Sequence, residues 1–141
     1  MRLTKNRITI LLLILSFLGF LDATYLTITH YLKTIPPCSI LSGCEFVVTS
    51  QFSTIFGIPL ALLGAIYFFA LFYLSIAILT SQNKLFSKIL NKLAYFGLLI
   101  SLFLFLLQAL IIKAYCQYCI FSEIVILFIF VFSLRIVKIN K

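Results

Sequence analysis

The chain has 141 residues, of which 64% are hydrophobic and only 10% are charged, and its mean hydropathy is +1.25. A soluble globular domain has a much smaller apolar share, so this composition excludes that class and indicates a helical membrane protein. The net charge is +8, but the eleven basic residues occur in small groups between apolar runs. A nucleic-acid-binding protein typically gathers such residues on one face, so we expect membrane lipid and no nucleic acid as a partner.

The first predicted element is an apolar run that begins at Ile8, after a basic start, and continues to about Tyr31. A basic start followed by an apolar core is also typical of a cleaved signal peptide. However, no small-x-small cleavage site follows Leu21. The run also reaches the length of about 20 residues that a membrane-spanning helix needs. The sequence therefore favours a retained first span over residues 8–31.

Three further apolar runs predict spans over residues 57–79, 93–112 and 115–137, within one membrane domain that covers residues 1–141. A polar connector over residues 81–92 separates the second and third spans. Four spans place both termini on the same side of the membrane. Nine of the eleven basic residues then lie on that side, and only Lys33 and Lys113 lie on the other. The positive-inside rule therefore predicts an all-α, four-helix bundle in the cytoplasmic (inner) membrane, with both termini cytoplasmic.

All four cysteines fall on the predicted outer side. Cys38 and Cys44 lie in the first outer loop, and Cys116 and Cys119 form a Cys-x-x-Cys at the start of the fourth span. Disulfides form and persist outside the cytoplasmic membrane. Helix positions three apart share a face, and the positive end of the helix dipole favours the reactive thiolate. The placement therefore indicates redox chemistry at the outer edge of the membrane.

Three interpretations of these cysteines remain open at this point. They can form structural disulfides that hold a loop to the bundle, they can bind zinc as four thiolates, or they can form a thiol-disulfide relay. A relay that oxidises thiols needs an electron acceptor. The chain has a single histidine, His30, which excludes a bis-histidine haem within it, and it has no Gly-rich dinucleotide loop. A membrane quinone is the acceptor that is left.

Four motifs in a fixed order carry a resemblance to a known family: Cys38-x5-Cys44, Glu45-x-Val47-x-x-Ser50, Phe56-Gly57-Ile58-Pro59 and Cys116-x-x-Cys119. Over essentially its whole length, the chain resembles the vitamin K epoxide reductase family in its bacterial form. The other quinone-linked disulfide oxidases with four helices, of the Dsb type, have their Cys-x-x-Cys in the first outer loop. The order of the two cysteine pairs therefore favours the first family.

The resemblance implies an oxidoreductase that passes electrons from thiols to a quinone of the ubiquinone or menaquinone class. Cys38 and Cys44 match the pair that exchanges with a thioredoxin-fold partner. Cys44 would form a transient bridge to Cys116, and Cys119 would meet the quinone. Many bacterial relatives carry the partner as a fused domain. Because this chain ends at Lys141, we expect a separate extracytoplasmic protein instead.

Four residues are candidate quinone contacts: Ser50, Phe56, Cys119 and Glu123. Ser50 matches the family's Ser/Thr near the quinone, whereas Glu123 stands where animal relatives have a tyrosine. Glu123 is a candidate proton donor, with stabilisation of the helix N-terminus as the alternative. Asp22, in the first span, can serve as a proton relay or make an interhelical hydrogen bond. We expect His30 to be an interface residue, not a catalytic base, and we expect no metal.

Apolar residues recur at helical spacing between Cys44 and Gly57, from Phe46 to Phe56. This spacing predicts a short amphipathic helix that lies along the interface over the bundle. Such a helix can shield a reaction from water, or it can simply be a structured loop. The alternative to the enzyme as a whole is a non-enzymatic membrane subunit or assembly factor whose disulfides are structural.

Overall fold

The protein consists almost entirely of helices in the computed structural model, which describes residues 2–141. The long helices are α1 (Arg2–Tyr31), α3 (Leu60–Ser81), α4 (Lys84–Leu106) and α5 (Gln117–Asn140), and a π-helical segment (Leu107–Ile112) continues α4. All four are long and apolar enough to cross a membrane. The predicted all-α fold with four spans is confirmed, and the chain is a multi-pass membrane protein.

The long helices form an antiparallel bundle in which α1 and α4 each pack against both α3 and α5. The side chains at its centre are 0–2% exposed: Leu12, Phe68, Leu71, Ile78, Leu90, Ile129 and Ile136. Large apolar side chains also cover the outside, for example Leu102 and Phe103, which are 54% and 62% exposed. Helices that are apolar all round are expected where lipid is the surrounding solvent.

Helix α4 extends beyond the predicted third span. It begins at Lys84, so most of the polar connector predicted over residues 81–92 is helical. The start is fixed by Asn83, whose side-chain oxygen accepts a hydrogen bond from the Leu85 N–H at 2.9 Å. Ser87 and Leu90 are buried, while Lys84, Lys88 and Lys92 face outward. These first turns are therefore amphipathic, which the apolar run alone did not reveal.

The loop between α1 and α3 contains the helix α2 (Cys44–Val48), a 3-10 turn (Gln51–Ser53) and an antiparallel pair of short strands, β1 (Thr54–Ile55) and β2 (Ile58–Pro59). The predicted amphipathic helix exists only as α2, and its continuation to Phe56 is wrong. Phe56 and Gly57 form the turn between the strands with φ angles of 51° and 80°. A right-handed helix cannot contain such backbone angles, so α3 begins at Leu60 after the hairpin.

The two ends of the bundle differ in composition. One end, called the basic end, comprises residues 2–7, 81–92 and 135–141, and it carries nine of the eleven basic residues. There the Asn140 side chain donates a hydrogen bond to the Ser87 hydroxyl at 2.8 Å, which joins the end of α5 to the start of α4. The other end, called the cysteine end, comprises residues 32–59 and 107–119 and contains all four cysteines.

Candidate functional site

The four cysteines lie in one packed cluster at the cysteine end. Cys38 and Cys44 are joined by a disulfide with their Cα atoms 6.1 Å apart, whereas Cys116 and Cys119 are free thiols. Cys44 and Cys116 are only 1% and 0% exposed, while Cys38 remains partly accessible. The structure thus brings the two predicted pairs together, with the buried member of each pair in the same cluster.

The two cysteines of the Cys-x-x-Cys have different backbone settings. Cys119 lies in the first turn of α5, as the sequence predicts, but Cys116 precedes the helix, with extended angles of φ −102° and ψ 123°. The Cys116 carbonyl accepts the first helical hydrogen bond, from the Ile120 N–H at 3.0 Å. Cys116 therefore caps the helix, and the prediction that both cysteines sit in the first turn holds only for Cys119.

The Cys116 thiol ionises more readily than an ordinary cysteine. Its pKa is lowered from 9.0 to about 7, chiefly because the Cys119 thiol donates a hydrogen bond to its sulfur. The backbone N–H groups of Tyr118 and Cys119 also lower the pKa of Cys116, while burial opposes them. The thiolate form of Cys116 is consequently well populated at neutral pH.

A cavity of about 470 Å³ lies between the helices beside Cys119. Its walls are mostly apolar, and residues of the outer loop, among them Val47 and Phe52, complete the lining. A few polar side chains also reach it, including Gln108 and Glu123. Small-molecule sites typically have a volume of about 300–1,000 Å³ and this mixture of apolar walls with few polar groups. The lining fits a quinone, which has an apolar ring and two oxygens that accept hydrogen bonds.

The structure places three of the four candidate quinone contacts on this cavity: Ser50, Cys119 and Glu123. The Ser50 hydroxyl donates a hydrogen bond to the Val47 carbonyl at 2.8 Å, which also ties it to the end of α2. Phe56 is not brought to the cavity, because the turn that carries it points away and its side chain is 100% exposed. Phe52 and Ile55 line the cavity from that part of the loop instead.

One residue of the site was missed by the sequence analysis. The Gln108 side chain is 3% exposed. Its oxygen accepts a hydrogen bond from the Cys116 N–H at 3.2 Å, and its nitrogen donates one to the Glu123 carboxyl at 3.0 Å. It lies in the π-helical segment, a kind of segment that is frequent at functional sites. Gln108 is the one amide side chain in the predicted third span, and a polar group in lipid needs partners, so a signal was available.

Two further polar residues, Asp22 and His30, had more than one possible role in the sequence. Asp22 of α1 accepts a hydrogen bond from the Ser122 hydroxyl of α5 at 2.6 Å, so the interhelical hydrogen bond considered for Asp22 is present. Ser122 also lines the cavity and stands between it and Asp22. His30, expected at the interface, is part of the cavity lining as well. Among residues 2–141, no group of three or more His, Cys, Asp or Glu side chains is arranged to hold a metal ion.

A family comparison agrees with the arrangement of these residues. The family model described as "Vitamin K epoxide reductase family" matches residues 10–134 of the 141-residue chain, a range that contains all four cysteines. This family implies a disulfide-forming redox function, which fits a loop disulfide packed beside two free thiols. A comparison with curated proteins gives no match. The order of the cysteine motifs, the four spans and the family match lead to one conclusion: the chain belongs to the vitamin K epoxide reductase family.

Proposed function

We propose that this protein is a quinone-dependent thiol oxidase that regenerates disulfides in a separate thioredoxin-fold protein outside the cytoplasmic membrane. The observation that supports this most strongly is the position of the Cys-x-x-Cys. Cys116 packs in one cluster with the loop disulfide, whereas Cys119 lines the apolar cavity. The pair therefore connects a site of thiol exchange with a site that fits a quinone.

The partner protein reacts with the loop disulfide at Cys38. Cys38 is partly accessible while Cys44 is 1% exposed, and thiol-disulfide exchange requires access to the sulfur that is attacked. A partner thiolate attacks Cys38, and Cys44 leaves as a thiolate. The partner's second thiol then resolves the mixed disulfide, so the partner gains a disulfide and the loop pair gains two electrons.

Electrons then pass from the loop pair to an oxidised Cys-x-x-Cys. The Cys44 thiolate attacks Cys116, and Cys119 is released toward the cavity. Cys38 next attacks Cys44 and displaces Cys116, which is a good leaving group because its pKa is lowered to about 7. The outcome is a loop disulfide beside two thiols, which is the redox state present in this structure.

Several side chains of this chain suit the cavity to a quinone. A quinone bound there would accept two electrons and two protons. Cys119 presents its thiol at the wall, and the neighbouring Cys116 thiolate can take up the proton of that thiol. Glu123, held by Gln108, is placed to donate a proton into the cavity. The apolar walls exclude water, which strengthens these electrostatic effects.

The orientation in the membrane follows from the charges. Nine basic residues lie at the basic end and two, Lys33 and Lys113, lie at the cysteine end. Cytoplasmic segments carry the excess of lysine and arginine. The basic end and both termini therefore face the cytoplasm, and the cysteines face the oxidising side where a soluble partner is available.

The test is quinone reduction by the purified protein in detergent, with a reduced thioredoxin-fold protein as the electron donor. We expect the intact chain to turn over ubiquinone or menaquinone analogues, and Cys119→Ala to lose this activity. Ser16→Ala serves as the control, since it is a similarly small change at a buried position outside the cavity. Unfolding curves of all three proteins show whether the bundle is assembled.

Two outcomes would contradict the proposal. No turnover by the folded, intact protein with any tested quinone and donor would favour the non-enzymatic subunit or assembly factor. Undiminished turnover by Cys119→Ala would remove this cysteine from the relay. If the disulfides are only structural, the cysteine variants should lower the unfolding temperature and leave any other function of the folded protein unchanged.

A further inference from the structure

The two residues inside the Cys-x-x-Cys make hydrogen bonds to the outer loop on both sides of Cys38. The Tyr118 hydroxyl donates to the Pro37 carbonyl at 2.9 Å. The Gln117 side-chain oxygen accepts from the Ile40 N–H at 3.1 Å. Because both bonds join the first outer loop to the start of α5, they fix the position of the segment that carries the loop disulfide.

A third contact continues this junction toward Cys44. The backbone of Gly43 lies so close to the backbone of Tyr115 that a Cβ atom at Gly43 would come within 2.5 Å of the Tyr115 oxygen. Only glycine permits this approach. Residues 37–44 therefore lie along residues 115–118. The Tyr118 ring is itself held by the Tyr25 ring of α1, with 5.4 Å between the centroids.

We propose that Gln117 and Tyr118 form a latch that holds the loop disulfide segment on the start of α5, so that Cys44 stays beside Cys116 while Cys38 remains open to the partner. This inference rests on the proposed relay and adds to it two positioning residues. Neither of them carries electrons. Their role is to keep a reactive pair together that belongs to two different parts of the chain.

The latch matters because the segment it holds has no regular secondary structure of its own. The loop from Leu32 to Ser42 contains no helix or strand, and Ile40 beside the disulfide is 83% exposed. When the partner reduces the disulfide, the covalent link between Cys38 and Cys44 is also lost. Ordering such a segment costs conformational entropy, and a bound segment presents its thiol at a high effective concentration. The latch supplies this order during the interval in which the loop is reduced.

The step that the latch serves is balanced within the chain. The Cys44 thiolate attacks the Cys116 sulfur, the Cys116–Cys119 bond breaks, and Cys119 becomes a thiolate. Attack of Cys38 on Cys44 then forms the loop disulfide and releases Cys116. One disulfide breaks and another forms, and two electrons move from the loop pair, which received them from the partner's dithiol, to the Cys-x-x-Cys.

The experiment measures the approach of Cys44 to Cys116 without any quinone. In a background with Cys38→Ser and Cys119→Ser, these two are the only cysteines left. Diamide, which accepts two electrons, oxidises them to an intrachain disulfide that mass spectrometry quantifies over time. Tyr118→Phe and Gln117→Leu should each slow its formation about fivefold, as the loss of one net hydrogen bond predicts, and together they should slow it more than tenfold.

Matched variants separate the latch from a general structural effect. Tyr115→Phe removes the same hydroxyl three residues earlier, from a ring that packs against Phe105 at 6.2 Å, and it should leave the rate unchanged. Gln117→Glu retains an acceptor oxygen for the Ile40 N–H and should restore most of the rate lost in Gln117→Leu. Tyr118→Phe keeps the ring contact with Tyr25, so an unfolding curve should show that the variant is still an assembled bundle.

Unchanged rates in both latch variants would overturn the inference, and so would equal slowing in Tyr115→Phe. These results are independent of the proposed function, because diamide replaces both the partner and the quinone. If the intact chain fails to reduce quinones but the latch variants still slow disulfide formation, the proposed function fails and the latch stands. If turnover is normal and the disulfide forms at the same rate in every variant, the reverse holds.

Discussion

The basic end and the cysteine end of this bundle use the same helices in different ways. Toward the basic end the four helices are regular, and several buried hydroxyls bond to their own helix. The Ser75 hydroxyl, for example, donates to the Leu71 carbonyl at 2.8 Å, although Asn140 and Ser87 also join two helices at that end. At the cysteine end the backbone leaves the α-helical form, and polar groups beside the cavity bond from one element to another, as Gln108 does with Glu123 and Ser122 with Asp22.

This difference shows where along the bundle the helices are no longer closely packed. Protein interiors are packed densely, so a cavity has to be built by residues that hold the helices apart. Tyr67 marks the transition: its hydroxyl donates to the Leu93 carbonyl of α4 at 3.0 Å, its ring lies against Gly97, and it lines the cavity. Toward the basic end, the helices pack on buried apolar side chains such as Leu71, Ile78 and Ile136. The basic end therefore fixes the positions of the helices, and the cysteine end carries the cavity.

Among variants that keep all four cysteines, the largest effect should follow from removing the Glu123 carboxyl at the cavity. Glu123→Ala should lower kcat for quinone reduction by at least about a hundredfold, because general acid catalysis contributes this much or more. Glu123→Gln tests the reason, since it keeps the size of the side chain and an oxygen that can accept from Gln108 but has no acidic proton. We expect it to be nearly as slow. Steady-state kinetics that separate kcat from KM provide the measurement.

A fast Glu123→Gln enzyme would contradict the role as a proton donor. Glu123 would then serve only as a polar contact held by Gln108, and the proton would have to come from elsewhere. Asp22 is a candidate source, because it is hydrogen-bonded to Ser122, which lines the cavity. A combined Asp22→Asn and Glu123→Gln variant would identify that route by a further loss of turnover.

The four spans and the basic end were easier to predict from sequence than the cysteine end. Apolar runs and the distribution of basic residues establish the four spans and their order because hydrophobicity and charge act over whole segments. What the apolar runs do not indicate are helix ends with a local cause. The start of α4 depends on the single hydrogen bond of the Asn83 cap, and α2 ends before Ser50, whose backbone is extended.

At the cysteine end, only the four cysteines were recognisable from sequence as a group. Their order along the chain pointed to the family, and the clustering in space agrees with it. Gln117 and Tyr118 carried no pattern that a single sequence reveals, because their importance comes from partners far away along the chain. For Gln108 the signal was its position as the one amide in an apolar span. Phe56 shows the opposite error: it shares a motif with cavity residues, but its turn places it outside.

The pKa of Cys116 provides the next test of the cysteine end. In a Cys38→Ser, Cys44→Ser protein, the ultraviolet absorbance of the thiolate should titrate with a midpoint of about 7 for Cys116. The thiolate is present above that pH and disappears as the pH falls through it. Adding Cys119→Ala should raise the midpoint toward 9.0, because the hydrogen-bond donor to the Cys116 sulfur is removed.

Cys119→Ser is the matched variant for this titration. A serine hydroxyl can still donate a hydrogen bond to the Cys116 sulfur, so the midpoint should stay closer to 7 than in Cys119→Ala. An identical midpoint in all three proteins would show that Cys119 does not control the ionisation of Cys116. The assignment of Cys116 as the better leaving group would then need another cause.

The smallest effect concerns two serines, Ser122 beside the cavity and Ser75 in the middle of the bundle. Ser122→Ala should lower the free energy of unfolding by about 1–2 kcal/mol, because it leaves the half-buried Asp22 carboxyl without its partner across the helices. Ser75→Ala should change it by less than about 0.5 kcal/mol, because the Leu71 carbonyl that accepts from the Ser75 hydroxyl lies within the same helix and keeps its helical hydrogen bond. Unfolding in mixed detergent, followed by circular dichroism, measures both changes under the same conditions. Equal losses for the two variants would mean that the Ser122–Asp22 hydrogen bond between helices stabilises the protein no more than the Ser75–Leu71 hydrogen bond within α3. The stability of the cysteine end would then have to come from its remaining packing and from the loop that covers it.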